Sequence, residues 1–224
     1  MAFNEDTREK LVNTKARVSD HGEVYTPKHL VNNMLDLVKQ ETERIESRFL
    51  EPACGSGNFL VEILKRKLSI VKQKYYKNQT EYEQYSILAL TSIYGVDILE
   101  DNVESCRERL LGLFTEEYLR NYKENIKPEC IRSAEYILQK NILWGDALTM
   151  MTPDIKAKSL SFIEWSPVKT NMIKRREYKF TLLLNESEQL SIFNDDDDEV
   201  HIAEPQKEYP LVHFLKLGDD DKKL

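Results

Sequence analysis

One turn constrains this chain more than any other feature: Leu50-Glu51-Pro52-Ala53-Cys54-Gly55-Ser56-Gly57-Asn58-Phe59-Leu60. Gly55 and Gly57 permit backbone angles closed to other residues, so a strand ending near Pro52 can reverse into a helix that starts near Asn58. The first amides of such a helix have no partner inside it and favour a carboxylate or another anion. A bare Gly-x-Gly is an ordinary strand-to-helix turn, but its surroundings narrow the chemistry. A dinucleotide turn wants a third glycine at position 60, where Leu60 stands. A triphosphate loop wants Gly-Lys-Ser or Gly-Lys-Thr, which is absent. Glu51, just before the turn, disfavours a pyrophosphate and suits a cationic amino group.

Short apolar runs alternate with longer helical ones, the mark of an α/β fold. Thr26 and Pro27 read as helix cap and first helical residue. Leu30, Val31, Met34, Leu35 and Val38 then share one face. The spacing predicts strands over 48–52, 92–97 and 141–144, with a fourth over 160–165. Helices are expected from Asn58, with Phe59, Leu60, Ile63, Leu64, Leu68 and Val71 inward, and after Asp101, with Val103, Cys106, Leu110 and Phe114 on a stripe. Residues 73–84 read as an exposed helix end and connector. Three strand-to-helix units in order make half of a doubly wound sheet. The expected fold is therefore α/β, partial Rossmann-like, with helices on both faces of a parallel sheet and an irregular C-terminal extension. The expected division is a helical segment over 1–45, a Rossmann-like ligand domain over 46–168 and a polar, acidic extension over 169–224. In the extension, Lys174-Arg175-Arg176 with Tyr178 and Lys179 reads as a solvated basic turn or a phosphate contact. Residues 208–217 regain hydrophobicity and are expected to dock on the domain.

Three acids close the three predicted strands: Glu51, Asp97 and Asp146. Singly, each reads equally well as a strand-end charge, a helix cap or a turn residue. Together they suit an ammonium, a ribose diol and an adenine amino group. One ligand carries all three without phosphate: S-adenosylmethionine. The formal net charge is −7, so no basic footprint for gripping duplex DNA exists overall. The three cysteines form no close sequence pair, so neither a disulfide framework nor a zinc site is expected. The polar start and the absence of a long apolar run point to the cytoplasm rather than a membrane.

The motifs resemble those of N6-adenine DNA methyltransferases whose cofactor region precedes the catalytic region. The resemblance rests on His21-Gly22-Glu23-Val24-Tyr25-Thr26-Pro27, the 51–60 turn, Tyr94-Gly95-Val96-Asp97 and Gly145-Asp146-Ala147-Leu148, in that order, and covers about residues 20–150. It implies that Tyr25, Thr26 and Pro27 line the methionine end. Glu51, Pro52, Ala53, Cys54, Gly55, Ser56, Gly57, Asn58 and Phe59 would wrap the methionine. Asp97 would take the ribose, Ile98 would pack on the adenine, and Asp146 with Ala147 would meet the adenine amino group. The family reaction moves the sulfonium methyl to the exocyclic nitrogen of a flipped adenine.

The family's catalytic tetrapeptide, Asn, Ser or Asp followed by Pro-Pro and Tyr or Phe, is missing. The best positional match is Ser166-Pro167, followed by Val168 and Lys169 in place of the second proline and the stacking aromatic. Ser166 and Pro167 are thus either a degenerate catalytic site or a strand-ending turn. Either a partner chain carries the catalytic and DNA-recognition parts, or the chain is a non-catalytic binding or regulatory module. Gln189, Leu190, Ile192 and Phe193 resemble the peptide by which bacterial proteins dock on the sliding clamp, or else form a short segment folding back on the domain.

Overall fold

A computed structural model describes residues 26–169, 171–181 and 204–223. Three short strands, Phe49–Glu51 (β1), Ile93–Asp97 (β2) and Ile142–Trp144 (β3), form a parallel sheet in the order β1-β2-β3. Glu51 pairs with Gly95 and Asp97 with Trp144, so the carboxyl ends of all three strands share one edge. Every residue of β2 is buried, as expected of a central parallel strand.

Each connection is a pair of helices. Asn58–Tyr75 and Gln79–Thr91 join β1 to β2; Glu100–Tyr122 and Pro128–Asn141 join β2 to β3. With Lys28–Asp36 as α1 and the short Lys39–Thr42 as α2, these are α3 to α6 in chain order. At ~1.5 Å per residue, α3 and α5 are far longer than the strands they follow. They overrun the amino edge of the sheet, and α4 and α6 bring the chain back. The four-helix extension is tied by the stacked Tyr75 and Tyr85 (3.9 Å between rings) and by buried Glu83. Glu83 accepts from the Tyr118 hydroxyl and pairs with Lys127 Nζ at 2.7 Å.

The α/β class is as the sequence implies, but α4 was absent from the expected elements. Its buried residues, Tyr82, Glu83, Ser86, Ile87, Ala89, Leu90 and Thr91, surround the helix rather than line one face. Amphipathic periodicity therefore gives no signal there.

The expected fourth strand also differs. Ser161–Val168 (β4) does not join the parallel sheet but pairs antiparallel with Met172–Lys179 (β5), which pairs with Lys207–His213 (β6). The described part of the extension expected to be irregular thus supplies two strands of a three-stranded meander, closed by a 3₁₀ run over Phe214–Lys223 whose Phe214 and Leu217 are buried. The 168/169 boundary falls in the β4–β5 turn. This meander covers the Tyr94 side of β2, where a helix was expected. The Tyr94 hydroxyl donates to the Ile163 carbonyl at 2.9 Å, and its ring meets Phe162 edge-on at 5.4 Å.

Lys67 of α3 anchors the amino edge. It is fully buried, and its Nζ donates to the carbonyls of Ile45 (2.9 Å) and Ser47 (2.5 Å) and to Ser92 Oγ (2.6 Å). It thereby joins the entries of β1 and β2. Lys67→Met is expected to strip donors from buried acceptors and cost about 2 kcal/mol, read as a lowered urea midpoint at unchanged slope.

Candidate functional site

The parallel register puts Glu51, Asp97 and the Gly145-Asp146 step at one edge, and Gly145 N–H donates to the Asp97 carbonyl at 2.9 Å. Side chains alternate along strands, and Glu51 lies opposite Gly95, so Glu51 and Asp97 belong to the same face, the one that α3 covers. The sheet order gives this convergence, which the sequence only suggested.

The turn itself is held from three sides. Gly55 (φ +51°) and Gly57 (φ +87°) both occupy the left-handed region. A Cβ on Gly57 would stand 2.6 Å from Cys106 Sγ, whereas a Cβ on Gly55 would meet nothing within 4 Å. One glycine is needed for packing; the other borders open space. Asp97, buried, accepts from Gly55 N–H (2.7 Å), Leu99 N–H (2.9 Å) and Asn102 Nδ2 (3.2 Å). Its carboxylate therefore couples the turn to the end of β2. Arg109 reaches over from α5 and donates to the Ser56 carbonyl (2.6 Å), Ser56 Oγ (3.0 Å) and Asn58 Oδ1 (2.9 Å).

Asn102 and Arg109 were not among the expected site residues. Their only sequence signal is helical spacing from Cys106, an expected inward residue, at i−4 and i+3. No motif marks them; the packing of α5 against the turn does.

α3 starts without a side-chain cap; Gly57 precedes it, and Val61 N–H is the first to reach back, to the Gly57 carbonyl at 2.8 Å. The amides of Asn58, Phe59 and Leu60 have no acceptor within the helix. Burial raises the Glu51 carboxyl above the ordinary carboxylate range, partly offset by a hydrogen bond from the Ala53 backbone. Cys54 is buried, and its hydrogen bond with Cys106 together with burial holds its thiol far above the ordinary range, so it stays neutral. Pro52, Ala53 and Ile98 are exposed beside this edge.

The remaining expected residues distribute unevenly. Pro27, rather than Thr26, holds the cap position of α1, which has no side-chain cap and starts at Lys28; Lys28 Nζ lies 3.8 Å from Glu62 on α3, which brings both residues beside the first turns of that helix. Tyr25 lies outside the described residues, as do Gln189, Leu190, Ile192 and Phe193. Asp146 stands at the right edge, but its carboxylate serves its own loop, accepting from Leu148 N–H (2.8 Å) and Thr149 Oγ1 (3.0 Å), which lowers its pKa. Ala147, in that loop, is half-buried.

Ser166 and Pro167 are not brought to this edge. Leu160 packs at Gly145, on the carboxyl side of β3, and Glu164 meets Arg48 (3.0 Å) just before β1. Trp165 Nε1 donates to Asn141 Oδ1 (2.9 Å) just before β3. β4 thus descends from the carboxyl edge to the amino edge, and Ser166 and Pro167 lie in paired strand at the opposite end from the glycine turn. A strand-ending site requires a strand parallel to β1, and β4 runs the other way. Nor do Lys174, Arg175 and Arg176 form a basic turn. They lie in the central strand of the meander, with Arg175 buried over the Tyr209 ring (5.2 Å). Lys174 and Arg176 pair with Glu208, and Arg176 also pairs with Glu164.

Residues 6–110 match the family model for N-6 DNA methylase. Over that span, just under half of the chain, the sequence is similar to the N-6 DNA methylase family. A protein of Methanocaldococcus jannaschii described as a type II restriction enzyme and methyltransferase is 30% identical over 169 residues, 72% of this chain and 12% of its own length. The type II methyltransferase M.VspI of a Vibrio species is 29% identical over 147 residues, 62% of this chain and 29% of its own. The chain thus spans less than a third of either relative. No solved structure matches it. Among the described residues no helix is long and apolar enough to cross a membrane.

Proposed function

We propose that this chain holds S-adenosylmethionine for a DNA adenine-N6 methyltransferase of a cytoplasmic restriction–modification system, and that groups outside the described residues, on a partner chain or elsewhere in the protein, hold the target base and grip the DNA. The observation that carries this reading is the shared edge: Glu51, Asp97 and an uncapped helix start converge on a glycine, Gly55, that borders open space. Those groups fit the cofactor. Glu51 suits the ammonium, and the free amides of Asn58, Phe59 and Leu60 suit the carboxylate. Asp97, held in place by Gly55, Leu99 and Asn102, presents its carboxylate to the ribose diol. Exposed Ile98 offers an apolar surface to the adenine, and the Asp146-Ala147 loop borders its amino group. When bound, the cofactor supplies an electrophilic methyl group on a sulfonium.

Two observations support that division of labour. The net charge of −7 gives no footprint for DNA, and Lys174, Arg175 and Arg176 of β5 are paired or buried. Ser166 and Pro167 sit at the wrong edge to hold an adenine amino group near Asp97. The clamp reading of Gln189, Leu190, Ile192 and Phe193 rests on those residues alone and is not part of this proposal.

Calorimetry tests the cofactor assignment. Micromolar binding is expected near neutral pH. It should weaken as pH falls through the raised Glu51 pKa, because a protonated Glu51 no longer attracts the ammonium. Glu51→Gln should bind less tightly at neutral pH and lose most of that pH dependence. Absence of binding by the wild-type chain at about pH 8 would refute the assignment.

A further inference from the structure

Gly57 holds the cap position of α3 and brings no side chain, and among the described residues no side chain caps that helix. Two oxygens stand close enough in sequence to do so. Serine and asparagine side chains bond backbone amides within two or three residues of themselves. The amides of Asn58, Phe59 and Leu60 therefore lie in range of Ser56 Oγ and Asn58 Oδ1, and such a cap is the usual way to satisfy a helix start.

Neither oxygen is used that way. Both accept from one nitrogen, Arg109 Nη1, at 3.0 Å and 2.9 Å, and the same nitrogen donates to the Ser56 carbonyl at 2.6 Å. Hydrogen bonds from a charged donor are roughly twice as strong as neutral ones, so the guanidinium outcompetes the helix's own amides for these acceptors. It comes from α5, 53 residues further along the chain. Its placement also favours an anion. A helix start carries partial positive charge, and a second cation beside it is disfavoured unless a negative group binds there. Arg109 is exposed and makes no salt bridge with an acid among the described residues.

Resting on the cofactor assignment above, we infer that Arg109 is a positioning residue for the methionine carboxylate of S-adenosylmethionine. It draws Ser56 Oγ and Asn58 Oδ1 away from the start of α3, so the amides of Asn58, Phe59 and Leu60 stay unpaired. The helix is kept from capping itself, and its first turn is reserved for a carboxylate that the chain does not supply.

The full chain free of ligand gives the first test. Amide hydrogen exchange is read by NMR in the wild type and in Arg109→Met. Release of the two oxygens should slow exchange at Phe59 or Leu60 by about fivefold, the worth of one helix cap. Adding Ser56→Ala and Asn58→Ala to Arg109→Met should return the wild-type rate, and Arg109→Lys, which keeps a cationic donor, should lie between. A clasp that only ties α5 to the turn predicts the opposite sign, so faster or unchanged exchange in Arg109→Met overturns the inference. Calorimetry gives the second test. Arg109→Met should weaken S-adenosylmethionine binding by about fivefold, and binding of decarboxylated S-adenosylmethionine, which keeps the ammonium, ribose and adenine, by less than about twofold. Equal losses for the two ligands, or none for either, also overturn it. Absence of S-adenosylmethionine binding by the wild type would instead strike the cofactor assignment, while exchange in the free chain still decides what Arg109 does.

Discussion

Replacing Asp97 with alanine is expected to weaken S-adenosylmethionine binding by about 100-fold or more, equivalent to about 2.7 kcal/mol. The loss has two parts. The carboxylate that would accept from the ribose hydroxyls is gone, and charge-assisted bonds of that kind are worth about 1.5–3 kcal/mol. The turn also loses its tether, because Asp97 accepts from the Gly55 and Leu99 amides and from Asn102. Those donors are left without their acceptor, so the urea midpoint should fall as well. Asp97→Asn separates the effects. Its one carbonyl oxygen can still accept from Leu99, but its amide group would face the Gly55 N–H donor. Affinity should fall nearly as far as in the alanine variant, while more of the stability is kept. Calorimetry and urea denaturation on the same preparations read both. Unchanged affinity in both variants would remove Asp97 from the binding site.

Gly57→Ala should produce the largest loss of stability of any change in the turn, about 3 kcal/mol. A left-handed residue with a Cβ costs about 1–2 kcal/mol, and forced overpacking adds about 1–3 kcal/mol. Here the added Cβ would lie 2.6 Å from Cys106 Sγ. The cause can be checked by a double-mutant cycle. Cys106→Ala removes the sulfur, and the next contact is then Cys106 Cβ at 3.4 Å. The double variant should recover about 1 kcal/mol or more relative to additivity. Strict additivity would mean that the sulfur is not what excludes a side chain there. Gly55→Ala is the contrast. Nothing lies within 4 Å of its Cβ, so stability should fall only by the backbone term, whereas cofactor affinity should suffer because the methyl enters the open space beside Glu51.

The two glycines illustrate how much of the site was legible. The turn, the acid before it and the acids closing β2 and β3 stand next to strand signals, so local spacing was enough to propose them. That Gly57 serves packing and Gly55 serves open space depends on where α5 lies, which no local pattern reports. Asn102 and Arg109 were missed for the same reason. They act on the turn from 47 to 53 residues away in sequence, with Arg109 donating to Ser56 and Asn58 and Asn102 to Asp97, itself bonded to Gly55. Asp146 shows the converse. The motif put it at the end of a strand, and there its carboxylate is engaged by Leu148 and Thr149, the turn role that the sequence left open.

By itself the sequence determined the α/β class, the three strands that form the parallel sheet, and the glycine turn and acids that stand at their ends. These follow from alternation, turn chemistry and strand-end positions, all of which act over a few residues. Only the tertiary structure decided the direction of β4 and the covering of the Tyr94 face by a meander. Strand direction and edge pairing depend on which distant segments meet. Ser161–Val168 pairs with the eight residues of β5 just across a turn, and no local pattern distinguishes that outcome from a fourth parallel strand.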